Sequence, residues 1–436
     1  MNKERIIEIL KETKEIDGWT VIIRTSEKHN LYVTKKQEIE DVLSSERKDI
    51  IVTIRKKIDT SVGESTFPIN TEDETVLRKQ IADALVVCEY ALNPWYNLPK
   101  KQHIKKIIDL VDSEITTEKV HQNIMKIYAD VTNAFAKEKN VFLNGMEVLT
   151  NVHEVNIVNS YGIDVSQKKT VCYLETVITV RKGKEEWEFF PAKTACRLSD
   201  LDTKKFLKEY IKIAKDVSKS VHPENFNGNV LLSGDAITEF FAPMQTPNPL
   251  IMHASGRIKY MNLTHYEIGK KIAEEQGDTL TIATNPFIHF NIASSAFNEE
   301  GIISKKIVLI EKNVFKNYFA TKQYADYLKI KPTGALCSIQ VEKGTKKLKE
   351  LRTEPTYEIV SFSSFVPNFV SGDFSAEIRL GYLHKDGKKI PLKGGMFTGN
   401  VFDLIKNCSL SKEVKKESGY VGPKGIVFRE GVIAGL

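Results

Sequence analysis

The sequence predicts an α+β protein, with helices and antiparallel strands set apart and the chain split into a mixed N-terminal part and a strand-rich C-terminal part. Three observations lead there. Runs of β-branched residues separated by short polar turns recur from residue 18 onward. Segments with apolar residues at 3.6 spacing fall mainly in the first half. The second half is nearly all strand, interrupted by only two or three short helices.

MNKERIIEILKETKEID sets Ile6, Ile7, Ile9 and Leu10 among alternating charges and reads as an amphipathic helix, not a secretory leader. GWTVIIRT, HNLYVTK and KDIIVTIRKK follow as three strands of an antiparallel meander. DETVLRKQIADALVVCEYAL brings Val76, Leu77, Ile81, Leu85, Val86 and Leu92 to one helical face and stops at Asn93-Pro94, where proline cannot continue a helix. NPWYNLPKK is a turn or hinge, and a second helical block runs from His103 to Phe135. FLNGMEVLTNVHEVNIVNS, KKTVCYLETVITVRKG and EEWEFFPAKTACRLS alternate as strands around turns such as Arg181-Lys182-Gly183-Lys184. The helix DTKKFLKEYIKIAKDVSKSV closes this part at His222-Pro223. The main boundary falls there, giving domains 1–221 and 222–436, with a sub-boundary near 93–102.

In the second part GNVLLSGD, KKIVLIEKNVFKNYF with its Glu311-Lys312-Asn313 turn, TYEIVSFSSF, SAEIRLGYLHKDGKKIPLKGG with its Asp386-Gly387 turn, and KGIVFREGVIAGL predict a large antiparallel sheet, a sandwich or a partly closed barrel.

With 41% apolar and 28% charged residues, the chain has the composition of a globular protein. Lys and Arg exceed Asp and Glu by six (63 − 57), mostly in pairs between acids, as on solvated helix faces. The densest basic tracts, Arg55 to Lys57 and EKGTKKLKELR at 342–352, lack the interleaved aromatics that would stack on bases, which points away from nucleic acid. No apolar run approaches the ~18 to 20 residues that cross a bilayer. Cys88, Cys172, Cys196, Cys337 and Cys408 form no C-x-x-C pair and read as reduced, mostly buried thiols of a cytoplasmic protein.

The stretch LTHYEIGKKIAEEQG, residues 263–277, holds the chemistry most in need of a decision. Thr264 followed by Glu267 predicts a capping box, Gly277 a left-handed helix stop, and Ile268 with Ile272 a shared face. His265 sits beside that face. A catalytic zinc needs three protein ligands, an open position and a carboxylate base. Here His265 is alone, Tyr266 follows it, and Gly269 and Lys270 stand where a second histidine would be needed. No H-x-x-x-H, C-x-x-C, G-x-S-x-G or G-x-x-x-x-G-K-[ST] occurs elsewhere. LKGGMFTGN at 392–400 reads as a turn leading into the helix VFDLIKNC, and Asp373 in SGDFS as an Asx turn residue.

The order of SSAFNEEGIISKKIVLIEKNVFKNYFATKQYADYLKIKPTG, VPNFVSGDFSAEIRLGYLHKDGKKIPLKGGMFTGNVFDLIKNC and VGPKGIVFREGVIAGL resembles the TldD/TldE (PmbA) peptidase family, once named modulators of DNA gyrase. The match is collinear over residues 225–436, and NSYGIDVSQKK and VLLSGDAITEFFAPM are similar to further family segments. The resemblance implies an N-terminal α/β domain, a mainly β C-terminal domain, and a dimer around a cleft for unfolded peptide. It also implies that His265 matches the first histidine of the H-E-x-x-x-H of zinc-bearing members, with Tyr266 in place of the glutamate and Lys270 in place of the second histidine. The family's cysteine-bearing loop is missing: Cys408 falls in the preceding helical segment, and SLSKEVKKESGYVGPKG follows without cysteine.

The leading expectation is therefore a non-catalytic, TldE/PmbA-like subunit without zinc or other cofactor. It would pair with a TldD-type subunit or itself and line a channel for unfolded peptide. Two alternatives stand beside it: a stand-alone hydrolase rebuilt around His265, Glu267 and Lys270, and a gyrase- or nucleic-acid-associated regulator.

Overall fold

Four strands of 16 to 20 residues organise the first half of the chain. The computed structural model describes residues 2–34, 38–103, 108–242, 248–274, 276–334 and 336–435. Helix α1 (Lys3–Glu12) leads into β1 (Gly18–Val33), β2 (Ile39–Ile58) and β3 (Ser61–Pro68), followed by α2 (Glu74–Cys88), β4 (Leu92–Pro94) and α3 (Val120–Phe135). Then come β5 (Val141–Asn159), β6 (Asp164–Lys182), β7 (Glu185–Phe189) and β8 (Ala192–Ala195). The order is β4-β3-β2-β1-β5-β6-β7, with β8 paired to β6 further along the same strand. GWTVIIRT and HNLYVTK, expected as separate strands, are one. Ser26, Glu27 and Lys28 stay paired with both neighbours, and the charges that resembled a turn simply face water.

One end of this sheet is covered by α1 and α2 through Ile6, Ile9, Leu77 and Ile81, the other by α3 and the helix that follows β8. Val76 and Val86, expected on the buried face of α2, are exposed, and Ala84 and Cys88 are buried instead. The helix also ends short of Asn93-Pro94. A Cβ on Gly63 would lie 1.8 Å from the Cys88 carbonyl oxygen, so β3 passes directly against the last turn. Of the block expected as helix from His103, only α3 is helical among the described residues, and 104–107 lie outside them. Lateral bonds win at Leu110, whose carbonyl accepts from Thr170 N–H, and at Asp112, which accepts from Leu198 N–H.

The rest of the chain contains α4 (Leu198–Leu201), α5 (Thr203–Val217), β9 (Phe226–Leu232), α6 (Gly234–Phe241), α7 (Pro249–Met252), α8 (Gly256–Tyr260), β10 (Ile282–Asn285), β11 (Ile307–Glu311) and β12 (Val314–Phe315). It continues through α9 (Lys322–Leu328), β13 (Ser338–Val341), β14 (Thr356–Phe362), β15 (Asp373–Lys385), β16 (Lys388–Leu392), β17 (Met396–Asn400), α10 (Val401–Leu404), β18 (Cys408–Leu410), β19 (Val414–Glu417), β20 (Tyr420–Pro423) and β21 (Ile426–Ala434). Five of these short helices fall after β9, more than the two or three expected. Strands β14-β9-β21-β17-β15 follow one another, and β15 pairs back to β14, which closes a five-stranded barrel. A second sheet of order β12-β11-β10-β13-β20-β19 shares one core with it, centred on Phe240, Phe315, Phe397, Tyr420 and Phe428. The α+β class and the C-terminal β domain are therefore as the sequence predicts, and the barrel is fully closed.

The closing pair is pinned by one buried carboxylate. Glu358 of β14 is 3% exposed; it accepts two hydrogen bonds from Arg352 (3.0 and 2.7 Å) and one from Ser233 Oγ (2.7 Å), and lies 2.7 Å from His384 Nε2 of β15. Burial alone would raise this carboxyl, but the bonds from His384, Arg352 and Ser233 outweigh it and hold it well below the ordinary range. A depressed carboxyl stabilises the fold above its unfolded pKa and loses that contribution as pH falls through the folded value. Glu358→Gln should therefore lower the unfolding free energy at pH 7 by roughly 3 to 5 kcal/mol, because the half-buried Arg352 guanidinium loses its counter-charge and the buried cluster loses its shared acceptor. The deficit should shrink as pH falls below about 4. Urea unfolding of both proteins across pH checks this, and equal stability at pH 7 would contradict it.

Candidate functional site

The described residues of the stretch 263–277 form no helix, which corrects the expectation of a capped one. Its backbone is bonded sideways. Gly269 N–H donates to Phe315 O, Phe315 N–H to Lys270 O and Ile272 N–H to Asn313 O, so 269–272 lie along the β11–β12 hairpin. On the other side Gln276 N–H donates to Lys406 O and Asp278 N–H to Cys408 O. Gly277 is needed for close approach, not as a left-handed stop: a Cβ there would lie 2.2 Å from Cys408 O. Thr264 caps a turn and no helix. Its hydroxyl accepts from Tyr266 N–H at 3.0 Å, not from Glu267.

The three motif positions fall in different surroundings, although the His265 and Tyr266 rings stay 5.1 Å apart, edge to face. Tyr266 is 1% exposed and packs against His253, Phe315 and Phe402; its carbonyl accepts from Tyr318 OH, and its own hydroxyl has no partner among the described residues. His265 lies outside that core, with its ring 4.6 Å from that of His253 and 4.9 Å from that of Phe402. Burial lowers the pKa of both imidazoles. Neutral His253 then donates from Nε2 to Val370 O (3.0 Å), while the Thr264 hydroxyl donates to the His253 carbonyl at 2.9 Å and lies 3.2 Å from Nδ1. Lys270 and Ile268 are exposed. No hydrogen bond or ion pair joins the side chains of His265, Glu267 and Lys270 among the described residues. Cys408, expected in a helical segment, opens β18; burial pushes its thiol up to about 12, far from the thiolate a metal requires. All five cysteines are free and buried. Asp373, expected as an Asx turn residue, instead opens β15: its carboxylate accepts from Asn400 Nδ2 at 2.8 Å and its N–H donates to Ser371 Oγ, while Asn368 Oδ1 accepts the turn's backbone bonds from Val370 and Ser371.

Perturbed groups gather elsewhere, in a cleft between the N-terminal sheet and the second half. Two cavities of about 550 and 570 Å³ share Tyr210, Asp235, Glu417 and Ser418 and form its two ends. Edge strands β8 and β19 wall it, and neither has a further backbone partner on its outer side among the described residues. Helix α6 forms the floor. Asp235, Thr238, Glu239 and Ala242 recur at helical spacing and line the cleft, while Ala236, Ile237, Phe240 and Phe241 are wholly buried behind them. Tyr210 OH donates to Asp235 at 2.7 Å. Lys415 pairs with Glu417 at 2.8 Å and donates to Gly234 O. Burial, then the charge of Asp235, pushes Glu239 up to about 7; burial also raises Asp235 and Glu209. Titratable groups perturbed by burial and by one another in a cleft mark a functional site. A larger cavity of about 770 Å³ beside α8 and α9 has its acids already bonded, Glu299 to Arg24 and Glu300 to Asn298. Sequence reading missed the cleft, although the 235, 238, 239, 242 spacing in GDAITEFFA was there to find.

A closed barrel joined to a second sheet and facing a long-stranded N-terminal layer is the fold this chain shares with TldE. Residues 229–435 match the model of the PmbA/TldA metallopeptidase C-terminal domain. An uncharacterized protein of Methanocaldococcus jannaschii is 24% identical over 383 residues, 84% of this chain and 85% of that one. A metalloprotease TldD homolog of Buchnera aphidicola is 27% identical over 169 residues, 35% of this chain and 34% of its own. The crystal structure of TldE from Thermococcus kodakarensis has a TM-score of 0.81 at 21% identity, covering 99% of both chains. That of a Thermotoga maritima protein described as a candidate modulator of a DNA gyrase has 0.82 at 16%, covering 99% of this chain and 98% of the other. Residues 229–435 therefore form a PmbA/TldA metallopeptidase C-terminal domain, and this match, the TldD homolog and the shared fold of TldE together support TldD/TldE (PmbA) family membership.

The residues at the motif position do not fit a hydrolytic zinc. The donor set is one imidazole, a phenol turned into the core and an exposed ammonium, and no group of three or more His, Cys, Asp or Glu among the described residues could hold a metal. Packing at Tyr266 makes a separable prediction. Tyr266→Phe deletes an unpartnered buried hydroxyl and should leave stability unchanged or raise it by about 1 kcal/mol. Tyr266→Ala should cost roughly 3 to 5 kcal/mol, by analogy with other large-to-small aromatic truncations. Thermal unfolding of both variants measures this; a large loss in the Phe variant would mean that the hydroxyl has a partner.

Proposed function

We propose that this chain is a non-catalytic, TldE/PmbA-like subunit of a TldD/TldE-type metallopeptidase, in which it helps form the channel that receives unfolded peptide. The observation that carries the reading is the packing at 264–272. The side chain at the glutamate position is a tyrosine ring within the aromatic core, and the second-histidine position is a lysine in water. A base and two ligands would have to come from side chains that are not there. The likeness in fold to TldE from Thermococcus kodakarensis supports the same side of the family. The partner is a TldD-type chain, or a second copy of this one, whose surface completes the cleft.

The cleft supplies the binding half of that role. Its two edge strands offer backbone N–H and C=O groups to an extended chain, which gains main-chain hydrogen bonds whatever its sequence. A folded substrate keeps those groups paired internally, so this mode selects unfolded segments.

The test is a cleavage assay on an unfolded, internally quenched peptide with zinc supplied. This chain alone should be inert, a TldD-type subunit from the same source should cleave, and the mixture should cleave faster. Zinc-dependent cleavage by this chain alone would sink the reading.

A further inference from the structure

The cleft is not uniform, and its 550 Å³ end carries an unfilled polar arrangement. Thr238 is 8% exposed and lines this cavity, yet its hydroxyl has no hydrogen-bond partner among the described residues. Glu239, the next residue on α6, also lines it; no hydrogen bond or ion pair is made by its carboxylate among the described residues, and the through-space pulls of Arg379, which lines the same cavity, and of Lys415 are each smaller than the repulsion from Asp235. A buried hydroxyl and a half-buried carboxylate left open side by side are costly unless something completes them. The walls are aromatic: Trp187, Phe189, Phe190, Phe362 and Phe365 face the same space.

The sign of the missing charge follows from the neighbours. Asp235, one turn before Glu239, raises the pKa of Glu239, so the two carboxyls repel. An incoming anion would add to that repulsion, whereas a cation relieves it and gives Glu239 its counter-charge. Of the other acids lining the cavity, Asp235 is committed to Tyr210, Glu417 to Lys415 and Glu188 to Asn144, and Glu377 is exposed, which leaves Glu239 as the anchor. Lys393 lies with its Nζ 5.8 Å from the centre of the Trp187 ring, so that wall already accommodates one ammonium on an aromatic face. An apolar slot ending in a carboxylate and a hydroxyl suits a long stem with a charged tip.

We propose that the cavity formed by Thr238, Glu239 and the aromatic wall is a subsite for one lysine or arginine side chain of the extended peptide, with the charged tip on Glu239 and the Thr238 hydroxyl. This rests on reading the cleft as a peptide groove. It adds a sequence preference to a binding mode that main-chain bonds alone would leave indifferent.

The probe is a set of fluorescent, unstructured peptides identical except at one central position, which is lysine, arginine, norleucine or glutamate, titrated into the full chain by anisotropy. The lysine and arginine peptides should bind about tenfold tighter than the norleucine one, as expected for one charge-assisted hydrogen bond, and the glutamate peptide weakest. Glu239→Gln should erase the preference, so that the lysine, arginine and norleucine peptides bind that variant alike, and Thr238→Val should reduce it. Equal affinity for all four peptides overturns the subsite and leaves the groove standing. Binding by none overturns both, and an unchanged preference in Glu239→Gln overturns the assignment of the anchor.

Discussion

Everything in the second half hangs on the pairing of β14 with two strands at once. It runs parallel to β9 and antiparallel to β15, and so turns an open sheet into a barrel without a free edge at that seam. Glu358 sits at the seam and ties together β14, His384 on β15, Ser233 after β9, and Arg352. Each neighbour would leave a polar group unmatched if the seam opened, so closure and charge pairing support one another.

That seam also aims α6. Ser233 N–H donates to Ile359 O, and Gly234 follows with φ +55 at a point where a Cβ would lie 2.6 Å from Val360. Only glycine meets both demands, the left-handed backbone and the contact with β14. The helix leaves this point with its apolar face against the shared core and its polar face toward the cleft. Phe241 stacks on Tyr420, the first residue of β20, and β20 in turn holds edge strand β19 in place. Barrel closure, helix direction and the position of one cleft wall are thus consecutive consequences of the same contacts.

Local rules served well where the structure is local. Lys312 with Asn313, and Asp386 with Gly387, take positive φ in two-residue hairpin turns, as their side chains suggest. Helix α1 buries Ile6, Ile9 and Leu10 of its four named apolar residues, and α5 forms within the segment expected as helix. Failures came where distant backbone outbid a local preference. Capping letters at Thr264 and Glu267 were real, but main-chain partners at 313–315 and 406–408 were better. The barrel seam was invisible because β9 and β14 lie more than a hundred residues apart, and nothing in either run names the other. At the motif, the letters at His265, Tyr266 and Lys270 could be read from the sequence, but neither their non-helical backbone nor the burial of the phenol could. The cleft needed the three-dimensional meeting of α5, α6, β8 and β19.

Two strand edges facing one acid-floored cleft form the physical core of this account, and hydrogen–deuterium exchange on the full chain reads them directly. Adding an excess of unfolded peptide should slow exchange at amides of 192–195 in β8 or 414–417 in β19, with the rest of the barrel unchanged. Unaltered exchange at both edges under saturating peptide, or protection confined to a different surface, would contradict it.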